Sequence, residues 1–277
     1  MIRIISDLHY RDSSSHLSDL HQLEPALQGV DELWVNGDLC DAGCDYAPEN
    51  MESIMSFFTD RVATVRFITG NHDPQISDVH ALSAAADRVW VTHGDVFLTD
   101  IVPWSTVRPL IRKRLEGLRA SHPELDHENW HDRLTLHRLA TQRLPEKCLT
   151  GRVPLQIKLR HLFQQLFPPR KPWHMLKTWL TWPHITSLAM KRWQPQAQVL
   201  ITGHIHFPHI WKRENLTIVN TGAFSGPLGA LTVDIDENTG LVQIRRLRLA
   251  NRRFEPAEPH HEIQLAAAPA PQLSPSS

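Results

Sequence analysis

Short apolar runs recur along the chain, and most of them stop at a glycine or a turn residue. Ile2–Ile5 ends at Ser6-Asp7, Leu33–Asn36 at Gly37-Asp38, and Val65–Thr69 at Gly70-Asn71-His72-Asp73. Val89–Thr92 ends at His93-Gly94-Asp95, and Val199–Thr202 at Gly203-His204-Ile205-His206. These runs of four or five residues are rich in β-branched and aromatic side chains and predict buried strands. Thr217–Asn220, Ala230–Ile235 and Leu241–Leu249 predict three more, the last two joined by a hairpin turn at Asp236-Glu237-Asn238-Thr239-Gly240. Helical stretches such as Pro48–Arg61 lie between the early strands, so both ends of the chain read as α/β. The middle has no β pattern. Val107–Arg119, Leu125–Leu144 and Leu155–Phe167 carry apolar residues at three- and four-residue steps, and Pro168-Pro169 stops the last of them. After Phe254 the sequence turns rich in Pro, Ala and Ser, the composition of a disordered tail. The expected organisation is a core of residues 1–103 plus 196–254, a helical insertion over 104–195, and a tail over 255–277.

Charge sharpens that division. The 277-residue chain carries a net charge of only −1, but Trp104–Pro195 holds 17 basic and 6 acidic residues, a local +11, against 12 basic and 24 acidic elsewhere. Six of the nine tryptophans lie in the same block: Trp104, Trp130, Trp173, Trp179, Trp182 and Trp193. Cations interleaved with aromatics suit three uses: holding an anionic, phosphorylated substrate, touching a membrane surface peripherally, or gripping nucleic acid. No obligate protein partner is implied. Trp173–Met190 contains His174, Lys177, Pro183 and His184, so it is not read as a bilayer span. Three cysteines argue against a disulfide framework, and the first residues do not form a signal peptide; together they point to the cytoplasm. Cys40 and Cys44, near Asp38, read as small loop residues.

The strand ends carry the candidate chemistry. Asp7-x-His9, Gly37-Asp38, Asn71-His72, His93 and His204-x-His206 each place metal-capable side chains where α/β sheets gather their sites. In extended backbone, residues i and i+2 point the same way, so both members of each x-spaced pair are expected in one pocket. Imidazoles, carboxylates and an amide without thiolate favour Mn, Fe, Zn, Co or Ni over Ca or iron–sulfur centres, with Mn the first choice. The set exceeds what one metal needs and suits two divalent ions sharing a carboxylate. His127-Glu128-Asn129-Trp130-His131 also fits the His-Glu-x-x-His pattern of zinc peptidases on an expected helix, but no convincing third ligand follows, Glu146 being the candidate, and the match is read as a chance one.

The ordered series Asp7-x-His9, Gly37-Asp38-x-x-Asp41, Gly70-Asn71-His72-Asp73, His93-Gly94-Asp95 and Gly203-His204-x-His206 resembles the calcineurin-like metallophosphoesterase family, with every position filled. Asn220-Thr221-Gly222 resembles that family's usual continuation. The resemblance implies a four-layer αββα sandwich, here with an inserted helical cap. It implies that Asp7, His9 and His206 hold a first metal, that Asp38 bridges, and that Asn71, His93 and His204 hold a second. His72 matches the catalytic histidine that faces the substrate, and Asp41 and Asp73 are expected to orient a histidine from behind. The implied function is a metal-dependent phosphoric ester hydrolase, cleaving a phosphate ester or pyrophosphate bond with a metal-bridging hydroxide. The helical insertion is similar to that of bacterial UDP-2,3-diacylglucosamine hydrolases, but this chain has His72 where those carry arginine, a shorter Asn71-to-His93 interval and a longer insertion. A lipid-linked nucleotide pyrophosphatase, a nuclease using the basic cap, and a non-catalytic scaffold are the alternatives.

Overall fold

The computed structural model describes residues 1–12, 14–40, 48–144 and 170–266. Among them are eleven strands: β1 Ile2–Ile5, β2 Glu32–Asn36, β3 Thr64–Ile68, β4 Ala81–Ala84, β5 Val89–Thr92, β6 Val199–Thr202, β7 His209–Arg213, β8 Leu216–Asn220, β9 Ala230–Asp236, β10 Leu241–Ala250 and β11 Arg253–Gln264. The helices are α1 Glu24–Leu27, α2 Pro48–Thr59, α3 Arg108–Ser121, α4 Trp130–Thr141 and α5 Arg170–Trp193. The expected helix Leu155–Phe167 with its Pro168-Pro169 stop, and Asp41, Cys44 and Glu146, lie outside the described residues.

Two sheets form, ordered β11-β10-β9-β1-β2-β3 and β4-β5-β6-β8-β7. The strands β1, β2 and β3 run parallel, as do β5, β6 and β8. Alternation along each strand builds the layers. Ile2, Ile4 and Trp34 face Val89, Val91, Val199, Ile201 and Val219 between the sheets. Their neighbours point outward: Ile5, Leu33 and Val35 pack with Leu23, Ile54 and Phe58 on the α1–α2 side. Trp90, Leu200 and Ile218 pack with Trp182 and Met190 of α5 on the other. The result is the α/β sandwich of four layers, αββα, with helices inserted between the adjacent parallel strands β5 and β6.

Three strands depart from the sequence reading. The edge strand β7 and the short β4 have no unbroken β-branched run. The strand β11 overturns the expected tail at residues 255–264: it pairs with β10 from Arg253 to Gln264 despite Pro256 and Pro259. As the outermost strand it needs ladder hydrogen bonds on one side only, so prolines are tolerated there, and Phe254 and Leu265 anchor its ends in the core. The helix expected from Leu125 begins at Trp130, where the Asn129 side chain accepts the His131 and Asp132 backbone N–H groups. His127 and Glu128 therefore precede the helix, and Glu128 pairs with Arg192, so the peptidase-like motif is not assembled on one helical face.

The insertion meets the core at a seam of buried polar groups. Arg138 of α4 forms a bidentate pair with Asp95 at 2.6 and 2.9 Å. His80, in the loop before β4, lies 2.8 Å from Thr69 Oγ1, and its ring is 5.7 Å from that of His131 on α4. Burial, then the charges of Arg138 and His131, push His80 down to about 4; Asp95 and Asp78 oppose them too weakly to reverse it. A histidine depressed in the folded state costs no stability above its unfolded value of about 6.5, and costs increasingly as pH falls toward 4. His80→Asn is expected to remove roughly 1–2 kcal/mol of the stability loss between pH 7.5 and pH 4.5, allowing for partial exposure of the ring. Urea midpoints of both proteins at the two pH values check this, and parallel losses would contradict it.

Candidate metal centre

The carboxyl ends of β1, β2, β3, β5 and β6 converge, and the seven side chains expected as ligands converge with them. Two groups of donors form, with ligand atoms within 4.8 Å of one another in each: Asp7, His9, Asp38 and His206, and Asp38, His93 and His204. Asp38 belongs to both. Its Oδ2 lies 3.2 Å from His93 Nε2 and 3.9 Å from His9 Nε2. In the first group, His206 Nε2 is 3.2 Å from Asp7 Oδ1 and 3.1 Å from His9 Nε2. Asn71 joins the second group, its Oδ1 3.2 Å from His93 Nε2.

The backbone differs from the extended path expected at the two x-spaced pairs. Asp7, His9, Asp38, His204 and His206 have φ of 51°, 44°, 53°, 70° and 53°. Five side chains of the constellation thus sit in the left-handed region, which costs a non-glycine residue about 1 kcal/mol or more. The pairs reach one pocket because the chain curls around it just beyond the strand, not by strand alternation. The surrounding hydrogen bonds hold that curl: Asp7 N–H to the Gly37 carbonyl at 3.1 Å, His9 N–H to the Asp38 carbonyl at 3.0 Å, and His204 N–H to Asp7 Oδ1 at 2.9 Å. Approach is too close for a side chain at Gly203, where a Cβ would collide with the Asp7 carboxylate, or at Gly70, where it would meet Asp38.

Tautomers follow from fixed acceptors. His93 Nδ1 donates to the Asn36 carbonyl at 3.1 Å, directing Nε2 to Asp38 and Asn71. His204 Nε2 donates to the Ile101 carbonyl at 2.8 Å, leaving Nδ1 for the cluster. Such outer contacts orient metal-binding imidazoles. Burial opposes ionisation of Asp38, but His93, His72 and His9 outweigh it and hold the carboxyl well below its usual range. Asp7 is also lowered, with burial opposed chiefly by His206 and His93. Burial acts against charge on His93 too, yet Asp38, Asp7 and Asp95 raise it to about 9. His204, buried and facing His93, falls to about 4. A proton on His93 meets part of the demand for positive charge between the carboxylates; a divalent cation held there would meet more of it in the proton's place. Two carboxylates, one amide and four imidazoles fit hard-to-borderline divalent metals.

Asp73 has a different task from the one expected. Among the described residues it bonds no histidine; its carboxylate accepts the backbone N–H groups of Gly70, Asp38 and Leu39 at 2.8, 3.0 and 2.7 Å. It ties the turn after β3 to the turn after β2. Burial, then the Asp38 charge, raise it to about 6 despite those bonds. His72 is half-buried and belongs to neither donor group; its backbone N–H donates to Asp38 Oδ1 at 2.9 Å, and its ring stands edge-on to His9 at 5.1 Å.

Sequence reading missed the groups behind the donors. Ser6 Oγ donates to Asp7 and contacts Thr221 Oγ1, whose own hydroxyl reaches the Thr202 carbonyl at 3.0 Å. Asn220 Nδ2 donates to Thr202 Oγ1 at 3.1 Å and to the Gly203 carbonyl. Asn220-Thr221 was a visible signal for these; Arg138 and Ile101 gave none. Arg138 also donates to Thr69 Oγ1 and the Thr69 carbonyl at 2.7 and 2.9 Å, and it holds Asp95 well below the usual carboxylate range against the effect of burial. Removing one partner of such a buried pair costs roughly 3–5 kcal/mol.

The chain belongs to the calcineurin-like phosphoesterase family, whose model matches residues 1–208. No curated protein sequence matches it. Among solved structures, it is similar to Vps29 from Chaetomium thermophilum, at 11% identity and a TM-score of 0.45 over 98% of each chain. It is also similar to a predicted phosphoesterase from Streptococcus pneumoniae, at 17% identity and TM-score 0.38 over 93% of this chain and 92% of that one. A dimetal phosphatase from Danio rerio is similar at 13% identity and TM-score 0.42, over 88% of this chain and 95% of that one.

Proposed function

We propose that the protein is a dinuclear metal-dependent phosphohydrolase acting on a phosphomonoester, phosphodiester or pyrophosphate bond in a cytoplasmic setting. The observation that supports it most is the sharing of Asp38 between two adjacent donor groups. Asp7, His9 and His206 would hold one ion, Asn71, His93 and His204 the other, and Asp38 both. Manganese is the first choice, ahead of Fe, Zn, Co or Ni. Two divalent ions in such a site polarise phosphoryl oxygens and supply a nucleophilic water at neutral pH. The chain's own part is to fix the donors. Asp73 holds the two turns that present Asp38 and Asn71, and the Asn36 and Ile101 carbonyls set the faces that His93 and His204 offer. His72, half-buried and edge-on to His9, would donate a proton to the leaving oxygen or stabilise charge on it.

Asp38→Asn is expected to abolish retention of both metals, whereas His72→Ala keeps them and slows turnover by roughly 10²–10³-fold. Metal analysis of the two purified variants checks this; equal metal loss in both would defeat the role assignment. An assay with added Mn, comparing aryl phosphate, aryl phosphodiester and nucleotide-diphosphate substrates side by side, is expected to give turnover of at least one. A chelator should stop that turnover and Mn restore it. No turnover of any of the three, with Mn or with Fe, Zn, Co or Ni, would leave the scaffold reading in its place.

The insertion favours a second, peripheral role. The helix α5 contains no acidic residue and exposes Trp173, Leu176, Leu180 and Leu188, with Lys177 among them. Apolar and cationic side chains on one exposed face suit an anionic lipid surface better than nucleic acid, which would leave the leucines without a partner. No described helix is long and apolar enough to cross a membrane. Cosedimentation with phosphatidylglycerol vesicles but not phosphatidylcholine vesicles is expected, and is weakened by Leu176→Glu with Leu180→Glu. Equal recovery with both lipids, or salt-sensitive binding to oligonucleotides instead, would contradict this.

A further inference from the structure

The insertion and its entry segment brace the two donor groups unequally. Arg138 of α4 grips Asp95, two residues beyond His93, and Thr69, two residues before Asn71. A single buried guanidinium thereby fixes the spacing between the ends of β3 and β5, which present those two donors. The third donor, His204, is held from the same side: the Ile101 carbonyl accepts its Nε2–H at 2.8 Å, and the Trp104 ring lies 5.5 Å from its own. The other group depends on core partners instead. Asp7 is held by Gly37, Ser6 and the His204 N–H, and His9 by the Asp38 carbonyl. Beyond the shared Asp38, two contacts link the groups: the His204 N–H on Asp7, and the Trp179 indole on the Ile205 carbonyl at 2.9 Å, between His204 and His206.

We propose that Arg138 is a positioning residue for the metal position formed by Asn71, His93 and His204, and that the docking of α4 sets the affinity of this position separately from that of Asp7, His9 and His206. This rests on the dinuclear reading above. Arg138 reaches no donor atom directly; it acts through Asp95 and Thr69. The planar fork matters, because one guanidinium makes four hydrogen bonds here, two to the carboxylate, one to a hydroxyl and one to a carbonyl, and a lysine ammonium has only three N–H groups.

The test uses the full chain, stripped with chelator and titrated with Mn²⁺ by calorimetry and by electron paramagnetic resonance. Wild type is expected to take two ions and to show a spin-coupled pair. The double variant Arg138→Met/Asp95→Asn removes both charges, so no unpaired buried carboxylate remains to unfold the chain. It is expected to bind the first ion as wild type does and the second roughly 10–100-fold more weakly, giving an uncoupled Mn²⁺ signal at one equivalent. Arg138→Lys should fall between the two. Trp104→Leu, at the other contact, should weaken the same ion, and Arg138→Lys, which keeps a cation beside Asp95, carries the test if the double variant does not fold. Two ions bound as tightly as in wild type, or both weakened by the same factor, overturn the proposal. A wild-type chain that takes up no Mn²⁺ overturns the dinuclear reading, and this proposal with it, whereas the equal-weakening result leaves that reading standing.

Discussion

Two fully buried carboxylates, Asp7 and Asp38, sit side by side among imidazoles, and the rest of the structure answers to that arrangement. Like charges out of water repel strongly, so the cluster is stable only if positive charge is supplied within a few ångströms. Neighbouring histidines supply some of it: the carboxylates raise His93, whereas burial and the His93 charge lower His204. The same demand explains the local strain. Bringing donors from five strand ends this close needs left-handed backbone at five non-glycine residues and leaves no room for a side chain at Gly70 or Gly203.

The sandwich makes this convergence possible. Parallel strands in each sheet send their carboxyl ends to one edge, and packing the sheets face to face brings Asp7, Asp38 and Asn71 from one against His93, His204 and His206 from the other. A site split between sheets is sensitive to how the sheets seat. Arg138 and Asp73 are two of the groups that lock strand ends to one another, one from the insertion and one from within the core.

Much of this was legible in the chain itself. The runs Ile2–Ile5, Val89–Thr92 and Val199–Thr202 fold with the bounds their side chains imply, because buried parallel strands need unbroken apolar runs. The candidate donors were visible because metal chemistry restricts residue types and strand ends restrict their places. Less visible were strands whose pattern is set by their position. Ala81–Ala84 is held by pairing with β5, and Arg253–Gln264 keeps its prolines because it lies at an edge. Invisible altogether were the long-range braces. Arg138 meets partners 43 and 69 residues away, and nothing local distinguishes it from the many surface cations of the insertion.

The most direct test of the account is anomalous diffraction from crystals of the full chain grown with Mn²⁺. The account predicts two anomalous peaks flanking the Asp38 carboxylate, one contacted by Asp7, His9 and His206 and the other by Asn71, His93 and His204. A single peak, or peaks that do not share Asp38, would contradict it.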